Sequence, residues 1–172
     1  MQKLLVITIL LFAAGTVRAD DIIHAGKAQF QVPDGWVHLQ NSQNFVLIPE
    51  DLPKGKTAYI AILEPRKLDT TLSQWFKDEW QQLQNSYTVL DGGEPETQVA
   101  KAGYETVSAV AKVRDQQNKV SVVWLMGAHV NDRVERFLFL CNEDNDLDRY
   151  QKGLTAFLAT LTFDDLPTQT QQ

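Results

Sequence analysis

The chain has 172 residues, 44% of them apolar, and a formal net charge of −6. That length accommodates one domain with a sizeable core. An acidic chain with no cluster of lysine and arginine excludes nucleic acid and anionic membrane surfaces as favoured partners.

In chain order, the first segment reads as a secretory signal. Lys3 precedes a largely apolar run from Leu4 to Ala14, and Val17 and Ala19 stand at the −3 and −1 positions of a cleavage site. The run is too short for a membrane span, which takes ~20 apolar residues. Cleavage after Ala19 leaves 153 residues with 14 basic and 22 acidic side chains, a net charge of −8. The expected location is periplasmic or secreted, with no stable membrane anchor. Residues 20–166 read as a single α+β domain and 167–172 as a disordered tail.

Phe30 and Val32 alternate with Gln29 and Gln31, predicting a half-buried strand that Pro33 stops. The stretch Pro33-Asp34-Gly35-Trp36 then forms a tight turn. It is compatible with a binding loop with an exposed indole and with a bend whose Trp36 packs on the sheet edge as the next strand starts; the second fits a tight turn leading into a strand better. Asn44–Glu50 is a short strand, Asp51–Lys56 a turn-rich loop, and Thr57–Pro65 a strand apolar on both faces.

From Asp69 to Ser86 the period changes. Leu72, Trp75, Phe76, Trp80 and Leu83 form a helical stripe opposite Lys77, Asp78, Gln81 and Gln82, and Asp69, Thr70 or Thr71 can cap it. Trp75 and Trp80 on that stripe read as core rather than as a ligand-stacking pair. Tyr87–Leu90 is a short strand, and Asp91–Glu96 a turn with an irregular approach to the next element. Three long strands follow, Tyr104–Arg114, Lys119–Val130 and Val134–Cys141, joined by the turns Asp115–Asn118 and Asn131–Arg133; this is an antiparallel meander. Val120, Val122, Trp124 and Met126 share one face of the middle strand, and Val123 and Leu125 make its other face apolar too. Such a sheet needs cover on both faces. Leu147, Tyr150, Leu154, Phe157, Leu158 and Leu161 supply a closing helical stripe, interrupted by Gly153. The fold class is therefore α+β: an antiparallel sheet of six to seven strands with two main helices, one on each face or both on one.

Few residues suggest chemistry. Cys141, the only cysteine, cannot form an intramolecular disulfide, and in the strongly apolar strand that opens Arg136–Asp144 it reads as buried. His24 at an expected frayed N-terminus, His38 and His129 are far apart in sequence and show no ligand-pair spacing. Asp144, Asp146 and Asp148 alternate as in a calcium loop, but Arg149 and Thr155 replace the required glycine and glutamate, so helix capping is the better reading. Asp78 and Glu79 do not face each other on their helix, and Asp164-Asp165 lie near the tail. No serine elbow, phosphate loop or zinc helix is present. No catalytic, cofactor-binding or metal-binding residue is nominated, and no cofactor is expected.

The stretches Phe30–Val37, Leu72–Leu83, Ala102–Val113 and Phe157–Phe163, with the order of elements, resemble the PsbP/Mog1-like superfamily, and within it the DcrB-type and Eag-chaperone-like branch. The resemblance implies an antiparallel sheet sandwiched between helices, no enzymatic activity, and an accessory or chaperone-like protein that engages another protein. An exposed sheet edge or a partly uncovered concave sheet face would serve as the binding surface. Two further functions stay open: an immunity protein or inhibitor of a secreted toxin or hydrolase, for which the acidic charge suits a basic target, and a small hydrolase whose site assembles only in space.

Overall fold

The computed structural model describes residues 22–40, 44–100, 103–142 and 147–164. The expected signal segment, the tail 167–172, and Asp144, Asp146 and Asp165 lie outside the described residues.

Among the described residues eleven strands and two helices follow one another as β1 (Ile22–Ala25), β2 (Ala28–Gln31), β3 (Trp36–Gln40), β4 (Phe45–Pro49), β5 (Ala58–Lys67), α1 (Leu72–Gln84), β6 (Thr88–Gly92), β7 (Glu96–Val99), β8 (Glu105–Arg114), β9 (Val120–Val130), β10 (Arg133–Asn142), α2 (Leu147–Thr160) and β11 (Thr162–Phe163). The larger, eight-stranded sheet runs β3-β4-β5-β10-β9-β8-β6, with β7 also on β8; the smaller runs β1-β2-β11. All pairings are antiparallel.

The α+β class, the meander and the two helices agree with the sequence reading, and each sheet face receives one helix. Leu72, Trp75, Phe76 and Trp80 of α1 pack with Val107, Ala109, Val113, Val123 and Leu125. Tyr150, Leu154 and Phe157 of α2 pack with Ile60, Ile62, Trp124, Met126, Phe137 and Phe139 on the opposite face. The alternation of β9 between these two clusters is the pleat expressed as burial. Among the three candidate caps, Thr71 is the one used: its Oγ1 accepts from the Gln74 N–H at 3.2 Å.

The strand count exceeds the six to seven expected, because several strands are too short or too polar to show a period. His24 is not in a frayed end but in β1, its ring near Asp164 at 3.7 Å. The approach after Asp91–Glu96 is not irregular: Glu96–Val99 is β7, exposed throughout, and pairing with β8 rather than burial makes it a strand. The smaller sheet lies on the α2 side, where Phe30 meets Phe157 at 5.0 Å and Phe163 meets Tyr104 at 4.8 Å.

Three tryptophans are seated on glycines. A Cβ on Gly153 would fall 2.3 Å from Nε1 of Trp36, one on Gly127 2.2 Å from Cζ3 of Trp75, and one on Gly93 3.1 Å from Cζ2 of Trp80. Gly153, which weakens α2 as an isolated helix, is there because the Trp36 indole lies against its backbone. Trp75 and Trp80 are core residues, as their stripe predicts.

Candidate functional site

The Pro33–Trp36 turn sits at one end of the larger sheet. Gly35 adopts φ +72°, and the Trp36 N–H donates to the Pro33 carbonyl at 3.0 Å, closing a tight turn at which β3 begins. The Glu50 N–H donates to the Gly35 carbonyl at 2.9 Å, and Trp36 is paired with Pro49, so the turn is fixed to the end of β4. The first half of α2 approaches from the other side. Trp36 is only 7% exposed, lies on Gly153, and meets Tyr150 edge-on at 6.3 Å. The indole is a fold element, as preferred from sequence.

The turn nevertheless lines a cleft of about 390 Å³ between these elements. Trp36, Pro33, Pro49, Gly153 and Ala156 give it an apolar lining, and Asp34, Glu50 and Lys152 add charge. Arg149 is ion-paired with Asp51 and lies over the Tyr150 ring at 5.8 Å, which holds one wall in place. The lining contains no serine, threonine, cysteine or histidine. The arrangement offers an apolar slot with charged lips, of a size and lining that can hold a side chain. No sequence signal beyond the turn itself marked these residues, because they come from three separated segments.

Edge β3 adjoins this cleft. It has five regular pairs with β4, and its sequence WVHLQ carries no proline, lysine, arginine or carboxylate. The opposite edge of the sheet differs. There β6 is bulged between Val89 and Asp91, Glu94-Pro95 separates it from β7, and Asp91, Glu94 and Glu96 are exposed. Charge, proline and bulges are the usual devices that keep an edge from pairing with another chain, and β3 has none of them. A partly uncovered sheet face also exists: Val110 of β8, opposite Trp124 on the α2 side, is 54% exposed.

The other residues that the sequence singles out are scattered. Cys141 is buried in the α2-side core, its Sγ donating to the Asn142 carbonyl at 3.2 Å. His38 on β3 stacks on Phe45 at 5.1 Å, and His129 lies on β9, paired with Val134; neither joins His24. Among the described residues no group of three His, Cys, Asp or Glu side chains converges. Asp148 lies in the first turn of α2, where a carboxylate complements the helix dipole. Asp78 is exposed and accepts from Gln74, whereas its neighbour Glu79 turns inward to Arg66 at 2.5 Å and Arg136 at 3.1 Å, joining α1 to β5 and β10. Burial lowers the Arg136 pKa from its ordinary value, and Glu79 opposes that shift.

Comparison with solved structures gives the same architecture. Cyanobacterial PsbP (CyanoP) from Synechocystis sp. PCC 6803 superimposes with a TM-score of 0.58 at 8% identity, covering 90% of this chain and 98% of that one. LpqN of Mycobacterium tuberculosis, described as involved in cell envelope biogenesis, gives 0.58 at 13% identity over 83% of this chain and 88% of its own. The chain thus has a PsbP-like α+β fold. No family model and no curated protein matches it.

Proposed function

We propose that this chain is an exported, non-enzymatic accessory protein that binds an extended segment of another protein along β3, with one partner side chain anchored in the adjoining cleft. The observation that carries this reading is the pairing of an unprotected sheet edge with an apolar slot at its first residue. Strand addition draws affinity from main-chain hydrogen bonds and specificity from pockets beside the strand. The exported setting draws support from the description of one structural neighbour as involved in cell envelope biogenesis.

The test is affinity capture from periplasmic extract with the tagged protein and with two variants. Val37→Lys charges the β3 edge, and Val99→Lys does the same on β7, where Val99 is 74% exposed. A partner captured by the parent and Val99→Lys but lost with Val37→Lys supports the reading. Capture indifferent to Val37→Lys, or no partner for a well-folded sample, overturns it.

A further inference from the structure

Strand β3 ends the larger sheet, and its pairing with β4 fixes which of its backbone groups stay open. The Glu50 N–H donates to the Gly35 carbonyl, so in the register Trp36–Pro49 the hydrogen-bonded pairs are Val37–Ile48 and Leu39–Val46. The backbone N–H and C=O of His38 and Gln40, and the Trp36 carbonyl, therefore point away from β4. The Trp36 N–H is taken by the Pro33 carbonyl.

The two faces of β3 differ. Trp36 packs into the α2-side core, and His38 stacks on Phe45 beside it. Val37 and Leu39 face the α1 side, next to Ile48 and Val46. There α1 lies over β8 and β9, and Val37, Leu39 and Ile48 stay half-buried. The cleft on the α2 side is charged unevenly. Asp51 and Arg149 neutralise each other, whereas Asp34 and Glu50 are exposed and join no ion pair among the described residues. Asp34 precedes Gly35 and Glu50 is bonded to its carbonyl, so both stand at the sheet end of the cleft. Lys152, on the α2 wall, opposes these two carboxylates with a single positive charge.

We propose that the segment added to β3 carries a lysine or arginine opposite Trp36 and apolar residues opposite Val37 and Leu39. The inference rests on strand addition at β3 and specifies what is added. The aliphatic stem of the basic residue lies along the lining of Trp36, Pro33 and Pro49, and its cation reaches Asp34 and Glu50. An apolar side chain in that place would desolvate the two carboxylates without pairing them, and an acidic one would meet its own sign. Because side chains alternate across a strand, the residues one and three positions from the cation fall on the α1 side, over Val37 and Leu39. The motif is thus basic, apolar, any residue, apolar, read in that order for parallel addition and reversed for antiparallel addition. The net charge of −6 steers such a segment toward the protein.

The test is selection of random dodecapeptides displayed on phage against the intact protein, followed by fluorescence anisotropy of the enriched peptides. The enriched sequences should show the motif. Their affinity should fall about 3- to 30-fold when Asp34→Asn is combined with Glu50→Gln, the range for two exposed ion pairs. Both side chains are exposed, so this variant keeps the fold. Lys152→Gln should tighten binding, and added salt should weaken it. Gln40→Pro, which removes an outward N–H and no bond to β4, reports on strand addition itself. Peptides lost with Gln40→Pro but lacking the basic residue, or indifferent to the Asp34 and Glu50 substitutions, overturn this inference and leave strand addition standing. An acidic consensus weakened by Lys152→Gln does the same. Peptides that bind Gln40→Pro as well as the parent, or a selection that enriches nothing, overturn both.

Discussion

Replacing a glycine inside a helix by alanine normally stabilises a protein, and Gly153→Ala should do the reverse. The propensity gain is about 1 kcal/mol. Against it, the new methyl carbon would stand 2.3, 2.5 and 2.6 Å from Nε1, Cε2 and Cζ2 of Trp36, so the ring or the helix must move by about an ångström to restore van der Waals contact. The ring has little room, being buried against Tyr150 at 6.3 Å with its backbone paired to Pro49. Expelling the indole would re-expose ~150–250 Å² of mostly apolar surface, roughly 4–6 kcal/mol at 25 cal/mol per Å². Local repacking, at ~1–3 kcal/mol, is the cheaper response, and contact with three ring atoms puts it at the upper end. After the propensity gain, a net loss of about 1–2 kcal/mol is expected. Urea denaturation should show a lower midpoint with an unchanged slope, and the thermal midpoint should drop by roughly 2–8 °C. In a Trp36→Leu background the methyl has space, and Gly153→Ala should become stabilising by up to about 1 kcal/mol. A parent Gly153→Ala variant as stable as the original would refute this account of Gly153.

Other substitutions test the remaining structure. Gly127→Ala, with Trp75 Cζ3 at 2.2 Å and Val134 Cγ1 at 2.9 Å, should cost about 2–3 kcal/mol by chemical denaturation, with no helix propensity to offset it. Glu79→Gln removes the carboxylate that pairs with both Arg66 and Arg136, the latter only 11% exposed at its side chain. It should cost about 2–4 kcal/mol, and Glu79→Leu with Arg136→Met should recover much of that in a double-mutant cycle. Because burial raises the Glu135 pKa, folding takes up a proton. Global stability should then fall from the ordinary carboxylate pKa up through the folded one, and Glu135→Met should flatten this dependence and add on the order of 1–3 kcal/mol at pH values above that interval. If stability of the parent instead rises over that interval and Glu135→Met leaves it unchanged, burial does not govern the titration of this carboxyl.

Much of the architecture is written locally. The period of 3.6 in Leu72–Leu83 and the period of 2 in Val120–Val130 identify α1 and β9, and the double apolar face of β9 already demands cover above and below. The threonine that caps α1 and the glycine of the Pro33–Trp36 turn are equally local, since each answers a backbone need within three residues. What tertiary structure alone decided is whatever depends on pairing across distance. Four-residue β7 is a strand only because β8 lies beside it, and β1 only because β2 and the larger sheet lie under it. Gly153 looked like a flaw in a helix until Trp36, more than a hundred residues earlier, was found resting on it. Glu135 alternates in register with Phe137 and Phe139, so its sequence shows a charge in an apolar period but not the turn that seals it from water. The cleft draws its walls from Pro33–Trp36, Pro49–Asp51 and Arg149–Ala156; no spacing rule links these, because only the closing of α2 onto the β3–β4 end brings them together.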